Sequence, residues 1–490
     1  MAAGMLGFGA TRTDISSLSR TCGGQMGTTR RSGVEEFCGL DVPALLAEYG
    51  VPGCSVAVLD GGRFVRHAFG LRRTSGQGAP GGPGPAEAVT PRTPFQACSL
   101  SKPVTVLGVL RLVERGVLDL DADVNGRLAG WRIPSNGDWQ PRVTLRQLAS
   151  HTAGLGTSGF SGYPSGVPVP SLVQVLAGTA PANSPSVRVE GLPGFRFSYS
   201  GGGTTVIQLL LESVTGTPVA ELLSELVLNP LGMTDSTFAR TPTAPFAERA
   251  AHGHRGDGTA VPGGWHSYPE QCAAGLWTTP TDLLRYARAV QDAWAGAPDA
   301  LLKTETARQM LRPHAVLPSG AEGLGGLGHI GLGPYLHMAD SGPRWFGHAG
   351  SNAGYRCHLL ASVETGQGAA VMTNGDAGLA VIGRLLPAIA AAHGWKGLTF
   401  KQPYQPVPAA AVASAMGTYT TASGLRVQLR NEPGGPVAAF DSQPAVPLHL
   451  SSPTQLLAAD LDLLIRIDSP ERLILEQDGQ SIPCTRSTAN

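Results

Sequence analysis

The stretch at positions 95–116 constrains the fold of this chain more than any other. Between positions 103 and 110 it carries no charged residue, and apolar side chains fall on every face of a 3.6-residue helical turn. A helix that is apolar all round is buried in a protein core. Charges return only near its end, and Gly116 stands where a left-handed C-terminal cap is expected. The sequence therefore predicts a buried helix whose N-terminal end carries Ser99 and Lys102 toward a polar site.

Ser99 and Lys102 have the spacing of a nucleophile and its base, because residues three apart share one face of a helical turn. A serine hydroxyl is a weak nucleophile until a base takes its proton, and a desolvated lysine can be that base. A chance Ser-x-x-Lys match is the alternative. However, only four of the 36 cationic residues are lysines, and arginine cannot deprotonate. A lysine at this position therefore favours a catalytic role for its titratable amine.

The composition narrows the possible partners. Lys+Arg and Asp+Glu both number 36, so the chain shows no sign of binding nucleic acid or an anionic membrane. No apolar run reaches the length of a membrane span. The seven cysteines are scattered without C-x-x-C pairing, which predicts reduced thiols and not a disulfide framework or a zinc site. We expect a small-molecule acyl substrate as the partner, and the oligomeric state stays open.

Two motif matches do not predict a ligand site. Asp121, Asp123 and Asn125 match the first half of a calcium-binding loop, but Arg132 stands where a bidentate glutamate is required and would repel the ion. The G-x-G-x-x-G run at 326–331 lacks the preceding strand and the following helix of a dinucleotide-binding fingerprint. We therefore predict neither a metal nor another cofactor.

The N-terminal residues predict a disordered tail over 1–35. Positions 1–33 are rich in Gly, Ser, Thr and Arg, and Asp14 is their only acidic residue. They lack the apolar segment of a secretory signal and resemble an organelle transit peptide only loosely. We expect a cytoplasmic protein.

Strand patterns near both ends of the region 36–400 flank a helical middle. Runs at 54–60 and 63–69 predict a hairpin, and an amphipathic helical pattern covers 205–228. Three strand-like runs follow between 344 and 374, and then a helix over 379–392. The two groups of strands must pair into one antiparallel β-sheet flanked by helices, with a mostly helical subdomain, which is an α+β fold.

The last ninety residues predict a second domain. A proline-rich linker covers 401–408, and short strand-like runs separated by glycine-containing turns follow it. We therefore divide the chain into the tail at 1–35, the α+β domain at 36–400, and a linker with a small all-β domain at 401–490.

Two later stretches of the chain resemble the second and third motifs that accompany a catalytic Ser-x-x-Lys motif. Residues 194–201 (GFRFSYSG) resemble the Y-x-N motif of class C β-lactamases and the related D-aminopeptidases and esterases. Residues 347–352 (GHAGSN) resemble the K-T-G segment of the same proteins in its H-x-G form. Flanking residues agree at 95–102, 148–155, 274–280 and 371–374. Residues 36–400 are thus identified as a member of the β-lactamase-related serine hydrolase family, and the C-terminal part resembles the lipocalin-like β domain of some members.

The resemblance implies the role of each site residue. Ser99 would attack a carbonyl carbon and become acylated, while Lys102 and Tyr199 share the proton transfer. Which of these two is the base stays open. The oxyanion would rest on the backbone N–H groups of Ser99 and Ser351. The remaining residues of the substrate-binding side would be His348, Gly350 and Gly201.

Two departures from the family pattern change the expected substrate. Gly201 stands where an asparagine amide would bind an acylamino group, and His348 replaces the lysine that would hold a carboxylate. A histidine near its ordinary pKa is mostly neutral at pH 7. We therefore expect a serine hydrolase that acts on small esters, lactones or amides rather than efficiently on β-lactams. An acyltransferase using the same acyl-enzyme and a catalytically idle ligand-binding protein are the alternatives. We expect His151 to be structural and at most next to the site.

Overall fold

The structure, a computed structural model, describes most of the chain between residues 29 and 487. The described ranges are 29–31, 34–75, 78–79, 82–83, 85–318, 322–338, 342–400, 405–406, 412–432, 435–441, 445–452, 454–458, 463–477 and 480–487. Most of the predicted tail and most of the linker lie outside these residues, so the three domain limits stay predictions. The end of the expected tail does contain strand, because 29–31 pairs with 34–36.

The helices of the described residues lie mainly between the two groups of strands. They are α1 (Val42–Glu48), α2 (Ser101–Glu114), α3 (Leu145–Ala149), α4 (Leu172–Ala177), α5 (Gly201–Thr215), α6 (Val219–Leu223), α7 (Ala244–Ala247), α8 (Gln271–Ala274), α9 (Pro280–Ala295), α10 (Thr304–Met310) and α11 (Gly378–Ala392). Short 3₁₀ turns lie at Cys98–Leu100, Val124–Gly126 and Ala413–Ala415, and a π-helical turn lies at Ser224–Leu228.

The strands before residue 400 are short except in the central sheet. They are β1 (Thr29–Arg31), β2 (Val34–Phe37), β3 (Leu40–Asp41), β4 (Gly53–Asp60), β5 (Arg63–Arg73), β6 (Gly78–Ala79), β7 (Gly82–Pro83), β8 (Glu87–Ala88), β9 (Phe95–Gln96), β10 (Trp277–Thr278), β11 (Ala315–Val316), β12 (His329–Ile330), β13 (Tyr335–His337), β14 (Trp345–Asn352), β15 (Tyr355–Ser362) and β16 (Gly368–Thr373).

One nine-stranded sheet joins the two ends of this region in the order β11-β12-β13-β14-β15-β16-β4-β5-β8. Strand β16 pairs antiparallel with β4, and β4 pairs antiparallel with β5, which confirms the predicted hairpin and the α+β fold. Side chains of a strand alternate between the two faces of a sheet. Ala57 and Leu59 accordingly pack in one core with α2 and α9, while Val56 and Val58 pack in a second core with α1 and α11.

Helix α2 is the buried helix that the sequence predicts. Eleven of its fourteen residues are buried, and apart from Lys102 in the first turn the charged positions lie in its last turn. Its start differs from the prediction, because Ser99 belongs to the separate 3₁₀ turn that leads into the helix. Cys98 sets this turn apart, since its φ of 51° lies in the left-handed region. The helix predicted over 205–228 is also not continuous. In its place the structure has α5, α6 and the π-helical turn.

The C-terminal residues form the small all-β domain that the sequence predicts. Its strands are β17 (Gln405–Pro406), β18 (Gly417–Thr421), β19 (Arg426–Glu432), β20 (Gly435–Phe440), β21 (Val446–Pro447), β22 (His449–Ser452), β23 (Gln455–Ala458), β24 (Leu463–Ser469), β25 (Arg472–Gln477) and β26 (Gln480–Arg486). They form one antiparallel sheet in the order β17-β22-β23-β24-β25-β26-β18-β19-β20-β21. This barrel-like sheet encloses an apolar core of its own.

Among the described residues, no single helix is long and apolar enough to cross a membrane. Helix α5 and the segment 219–228 meet the length and composition criteria only together, and the chain bends by 89° between them.

Gly108 lets α2 approach the helices that follow α5. A Cβ atom added there would lie 2.7 Å from Leu223 Cδ2 and 3.3 Å from Val227 Cγ2. We expect Gly108→Val to lower the free energy of unfolding by about 1–3 kcal/mol, because it overpacks this contact. Urea titration measures the change. Gly383→Ala in α11 is the control, since no described residue outside that helix has an atom within 4 Å of its added Cβ. That variant should gain about 0.5–1 kcal/mol; equal losses would contradict the packing argument.

Candidate active site

The turn at Cys98–Leu100 presents Ser99 between two side chains that are fully buried. Ser99 is half-buried, whereas Cys98 and Leu100 have no exposed surface. Ser101 Oγ donates a hydrogen bond of 2.6 Å to the Cys98 carbonyl oxygen and so closes the turn. The left-handed backbone of Cys98 is an unfavourable conformation that neighbouring contacts must hold. Ser99 is therefore the one residue of this turn whose side chain is partly exposed.

Lys102 reaches back from the first turn of α2 to this serine. Its side chain is buried, and Nζ donates to Ser99 Oγ at 2.9 Å and to the Ala273 carbonyl oxygen at 2.9 Å. Ala273 lies in α8, so the amine bridges two helices. The contact between Ser99 and Lys102 that the sequence spacing predicts is present in the structure.

Tyr199 lies directly before α5 and faces the same amine. Lys102 Nζ lies 4.9 Å from the centroid of the tyrosine ring. The helix begins at this point because the next residue, Ser200, is its N-cap and accepts a hydrogen bond from the backbone N–H of Gly203 at 2.9 Å. Two parts of the chain that are about a hundred residues apart in sequence thus bring Ser99, Lys102 and Tyr199 together.

Gly201 occupies the place of the family's asparagine, and its surroundings explain the replacement. Its backbone N–H donates to the Ser158 carbonyl oxygen at 3.0 Å. A Cβ atom added to Gly201 would lie 3.0 Å from that same oxygen and 3.0 Å from Phe160 Cε2. An asparagine side chain therefore does not fit at this position unless Phe160 or the backbone moves.

His348 on β14 is adjacent to Tyr199, but its ring is enclosed. The ring centroids of Tyr335 and Tyr199 lie at 4.8 Å and 6.2 Å, and only 2% of the residue is exposed. Nδ1 donates to the Ala349 carbonyl oxygen, and no described residue forms a hydrogen bond with the buried Nε2. Burial and the nearby Lys102 lower the pKa of His348 to about 3. The imidazole is therefore neutral, as expected, but it is not open to solvent.

Gly350 and Ser351 follow on the same strand and point to opposite sides. A Cβ atom on Gly350 would lie 2.7 Å from the Ala97 carbonyl oxygen and 2.8 Å from Cys98 Cβ, so the glycine allows β14 to touch the nucleophile turn. Ser351 is exposed and pairs with Arg356 of β15. Its predicted contribution to an oxyanion site stays a prediction.

Sequence reasoning missed two residues that hold these parts together. Asn352 is buried, and its Nδ2 donates to Gln96 Oε1 at 2.7 Å and to the Ala274 carbonyl oxygen at 3.2 Å. It therefore ties β14 to the strand before the nucleophile and to α8. Its place as the second residue after the H-x-G motif was the only signal for it. His151, expected to be merely structural, contacts Tyr199 at a centroid distance of 4.4 Å.

In the described part of the chain, no group of three or more His, Cys, Asp or Glu side chains could hold a metal ion. Ser99, Lys102 and Tyr199 offer a hydroxyl for nucleophilic attack and an amine and a phenol for proton transfer.

The sheet, the helical subdomain and the serine–lysine–tyrosine site together define a serine hydrolase related to the β-lactamases. The comparison with protein families agrees, since the family model described as Beta-lactamase matches residues 41–393. This match spans well over half of the sequence, and the chain belongs to the β-lactamase family.

Curated relatives carry several different activities in their names. Penicillin-binding protein 4 of Amycolatopsis lactamdurans is 27% identical, and the match covers 68% of this chain and 83% of that protein. A D-aminopeptidase of Gluconobacter oxydans is also 27% identical, covering 80% and 68% of the two chains. Esterase EstB of Burkholderia gladioli is 32% identical, but the match covers only 32% of this chain and 41% of the esterase.

Solved structures extend the likeness to nearly the whole chain. The crystal structure of SurE with D-Leu is 25% identical with a TM-score of 0.58, and the match covers 91% of this chain and 98% of SurE. The octameric penicillin-binding protein homologue from Pyrococcus abyssi has a TM-score of 0.59 at 22% identity, covering 90% and 97%. This second likeness is one of fold.

Glu270 is a buried carboxyl group directly before α8, the helix that binds Lys102. It has no exposed surface, and neither carboxyl oxygen has a hydrogen-bond partner among the described residues. Its backbone carbonyl accepts hydrogen bonds from Ala273 and Ala274. Burial raises the pKa of Glu270 to about 7. Ionisation of this side chain therefore opposes folding.

We expect Glu270→Gln to change how stability depends on pH. The folded protein holds the Glu270 proton up to about pH 7 and the unfolded chain releases it near pH 4.5, so wild-type stability falls across that window. Glutamine cannot ionise. The stability of the variant relative to wild type should therefore rise between pH 5 and pH 8, by on the order of 3 kcal/mol. Urea midpoints at four pH values measure it.

Glu305→Gln, at an exposed position of α10, is the control and should follow wild type at each pH. A constant difference between Glu270→Gln and wild type across the range would show that Glu270 ionises as freely in the folded protein as in the unfolded chain.

Proposed function

We propose that this protein hydrolyses small uncharged esters, lactones or amides through an acyl-enzyme on Ser99. The observation that carries the proposal is the hydrogen bond of 2.9 Å from Lys102 Nζ to Ser99 Oγ, at a half-buried serine on a fixed turn. An amine at hydrogen-bond distance can take the hydroxyl proton as the oxygen attacks a carbonyl carbon. The esterase and D-aminopeptidase relatives support acyl transfer to water as the reaction class.

The acylation step moves one proton around the site. Ser99 Oγ bonds to the carbonyl carbon, its proton passes to Lys102 or Tyr199, and the departing alcohol or amine receives a proton from the same pair. Lys102 and Tyr199 lie close enough to share this work, at 4.9 Å from amine nitrogen to ring centroid. The negative oxygen of the intermediate would be stabilised by the backbone N–H groups of Ser99 and Ser351. Water then releases the acyl group by the reverse sequence.

The shape and charge of the pocket favour uncharged substrates. Gly201 offers no amide, and Phe160 and the Ser158 carbonyl oxygen close the space where one would lie. His348 carries no charge near neutral pH and is enclosed by aromatic rings, so it provides no cation for a substrate carboxylate. A penicillin presents both an acylamino group and a carboxylate. The two features that would recognise it are therefore missing from this site.

An acyltransferase would use the same acyl-enzyme, with an alcohol or an amine in place of water. Product analysis separates the two reactions, because hydrolysis yields the free acid even when a nucleophilic alcohol is present in excess. A ligand-binding protein without catalysis would leave Ser99 unlabelled by a fluorophosphonate probe.

We expect Ser99→Ala to abolish fluorophosphonate labelling and ester turnover without unfolding the protein, because the half-buried Ser99 side chain does not belong to the apolar core. Lys102→Ala should lower kcat/KM almost as far, since residues that act as one unit are not additive. Lys303→Ala, at an exposed lysine, is the matched control and should keep wild-type activity. If Lys102→Ala kept more than about a tenth of wild-type kcat/KM, a loss of under about 1.4 kcal/mol, its role in proton transfer would be wrong.

We also expect short-chain p-nitrophenyl esters to be better substrates than benzylpenicillin, with kcat/KM at least about a hundredfold higher, because the two missing contacts are each worth about 1.5 kcal/mol or more. Esters with a free carboxylate on the acyl chain should be no better than uncharged esters of equal length. Steady-state kinetics measure both ratios. Comparable kcat/KM values for penicillin and the esters would contradict the assignment of Gly201 and His348.

A further inference from the structure

One residue holds the backbone on both sides of Tyr199. The carbonyl oxygen of His151 accepts a hydrogen bond of 2.8 Å from the backbone N–H of Ser198. Its ring nitrogen Nδ1 accepts a second, of 3.2 Å, from the backbone N–H of Ser200. The Phe197–Ser198 and Tyr199–Ser200 peptide groups are thus bonded to the same residue. Because these two bonds flank Tyr199, they restrict rotation of its backbone.

The imidazole ring also packs against the tyrosine ring. The two ring centroids are 4.4 Å apart at an interplanar angle of 42°, and His151 is only 3% exposed. Phe197 also contacts the imidazole edge-on, at a centroid distance of 6.2 Å. The Tyr199 ring is therefore in contact with both His151 and the Lys102 amine, which lies 4.9 Å from its centroid.

These contacts require the neutral imidazole with its proton on Nε2. A nitrogen that accepts from a backbone N–H carries no proton of its own, so Nδ1 is the bare nitrogen. Burial, and then the charge of Lys102, hold the pKa of His151 well below its ordinary value. A protonated ring would turn an N–H toward the N–H of Ser200 and break this bond. The hydrogen bond is consequently available throughout the neutral pH range.

The backbone of His151 limits which residues could replace it. Its φ of 52° lies in the left-handed region, where Asn, Asp and His are several-fold enriched among residues other than glycine. A residue at this position must tolerate that backbone and present an acceptor close to its Cβ atom. Asparagine meets both conditions with its amide oxygen but lacks the ring. Phenylalanine supplies the ring but no acceptor.

We propose that His151 is a positioning residue that holds Tyr199 in the orientation needed for proton transfer. It does so with its carbonyl oxygen, its Nδ1 atom and the face of its ring. The inference rests on the proposed function, since it matters only if Tyr199 takes part in the reaction. His151 itself acts through Tyr199 and does not exchange protons with the substrate, because its neutral form is required for the contact.

The test is a double-mutant cycle on ester hydrolysis in the full chain. We expect His151→Phe to lower kcat about ten- to a hundredfold with KM changed less than about threefold, because a misplaced proton carrier slows chemistry more than binding. His151→Asn should restore kcat to within about fivefold of wild type. In a Tyr199→Phe background, His151→Phe should cost less than about twofold, since the residue through which it acts is already disabled.

Three outcomes would overturn the inference. An equal loss from His151→Phe in both backgrounds would assign it a general structural role, and wild-type kcat for His151→Phe would assign it none. Failure of His151→Asn to recover activity, while it folds with wild-type stability, would show that the Nδ1 contact is not the one that matters. If His151→Phe does not fold, His151→Gly takes its place in the cycle, because glycine adopts the left-handed backbone freely. Wild-type activity of Tyr199→Phe would instead overturn the role of Tyr199 under the proposed function.

Discussion

The buried amine of Lys102 is the contact on which the rest of the site depends. An ammonium group or amine taken out of water must find hydrogen-bond acceptors, because burial without partners is costly. Two are present, the Ser99 hydroxyl and the Ala273 carbonyl, and both are uncharged. The amine thus fixes the distance between the nucleophile turn, α2 and α8. Burial is the main cause that lowers the pKa of His151 and of His348, and the charge of nearby Lys102 lowers both pKa values further.

Close contact between backbone segments is the second constraint on this pocket. Gly350 lets β14 contact the nucleophile turn, and Gly201 lets the start of α5 lie against Phe160. In both places a Cβ atom would meet a backbone oxygen at 3.0 Å or less. The two glycines therefore allow these close approaches, which a side chain at either position would obstruct.

Sequence patterns predicted the parts of the molecule that depend on local physics. The apolar stretch 103–110 identified the buried helix α2, because hydrophobic periodicity reports burial directly. The spacing of Ser99 and Lys102 predicted their contact, because three residues form nearly one helical turn. The resemblance to a known family added Tyr199 and the H-x-G segment, which no spacing rule connects to the helix. Where the backbone left regular geometry, as at Cys98 with its φ of 51°, the helix start was misplaced.

By itself, the sequence determined the α+β class, the all-β C-terminal part, the buried helix and the serine–lysine pair at its start. These follow from the period of apolar residues and from short-range spacing, which each segment carries alone. Only the tertiary structure decided that His348 is enclosed and that His151 holds both sides of Tyr199. It also left Glu270 buried without a hydrogen-bond partner among the described residues. The burial and the contacts of a polar side chain depend on segments that are distant in the sequence. Local sequence patterns therefore do not predict them.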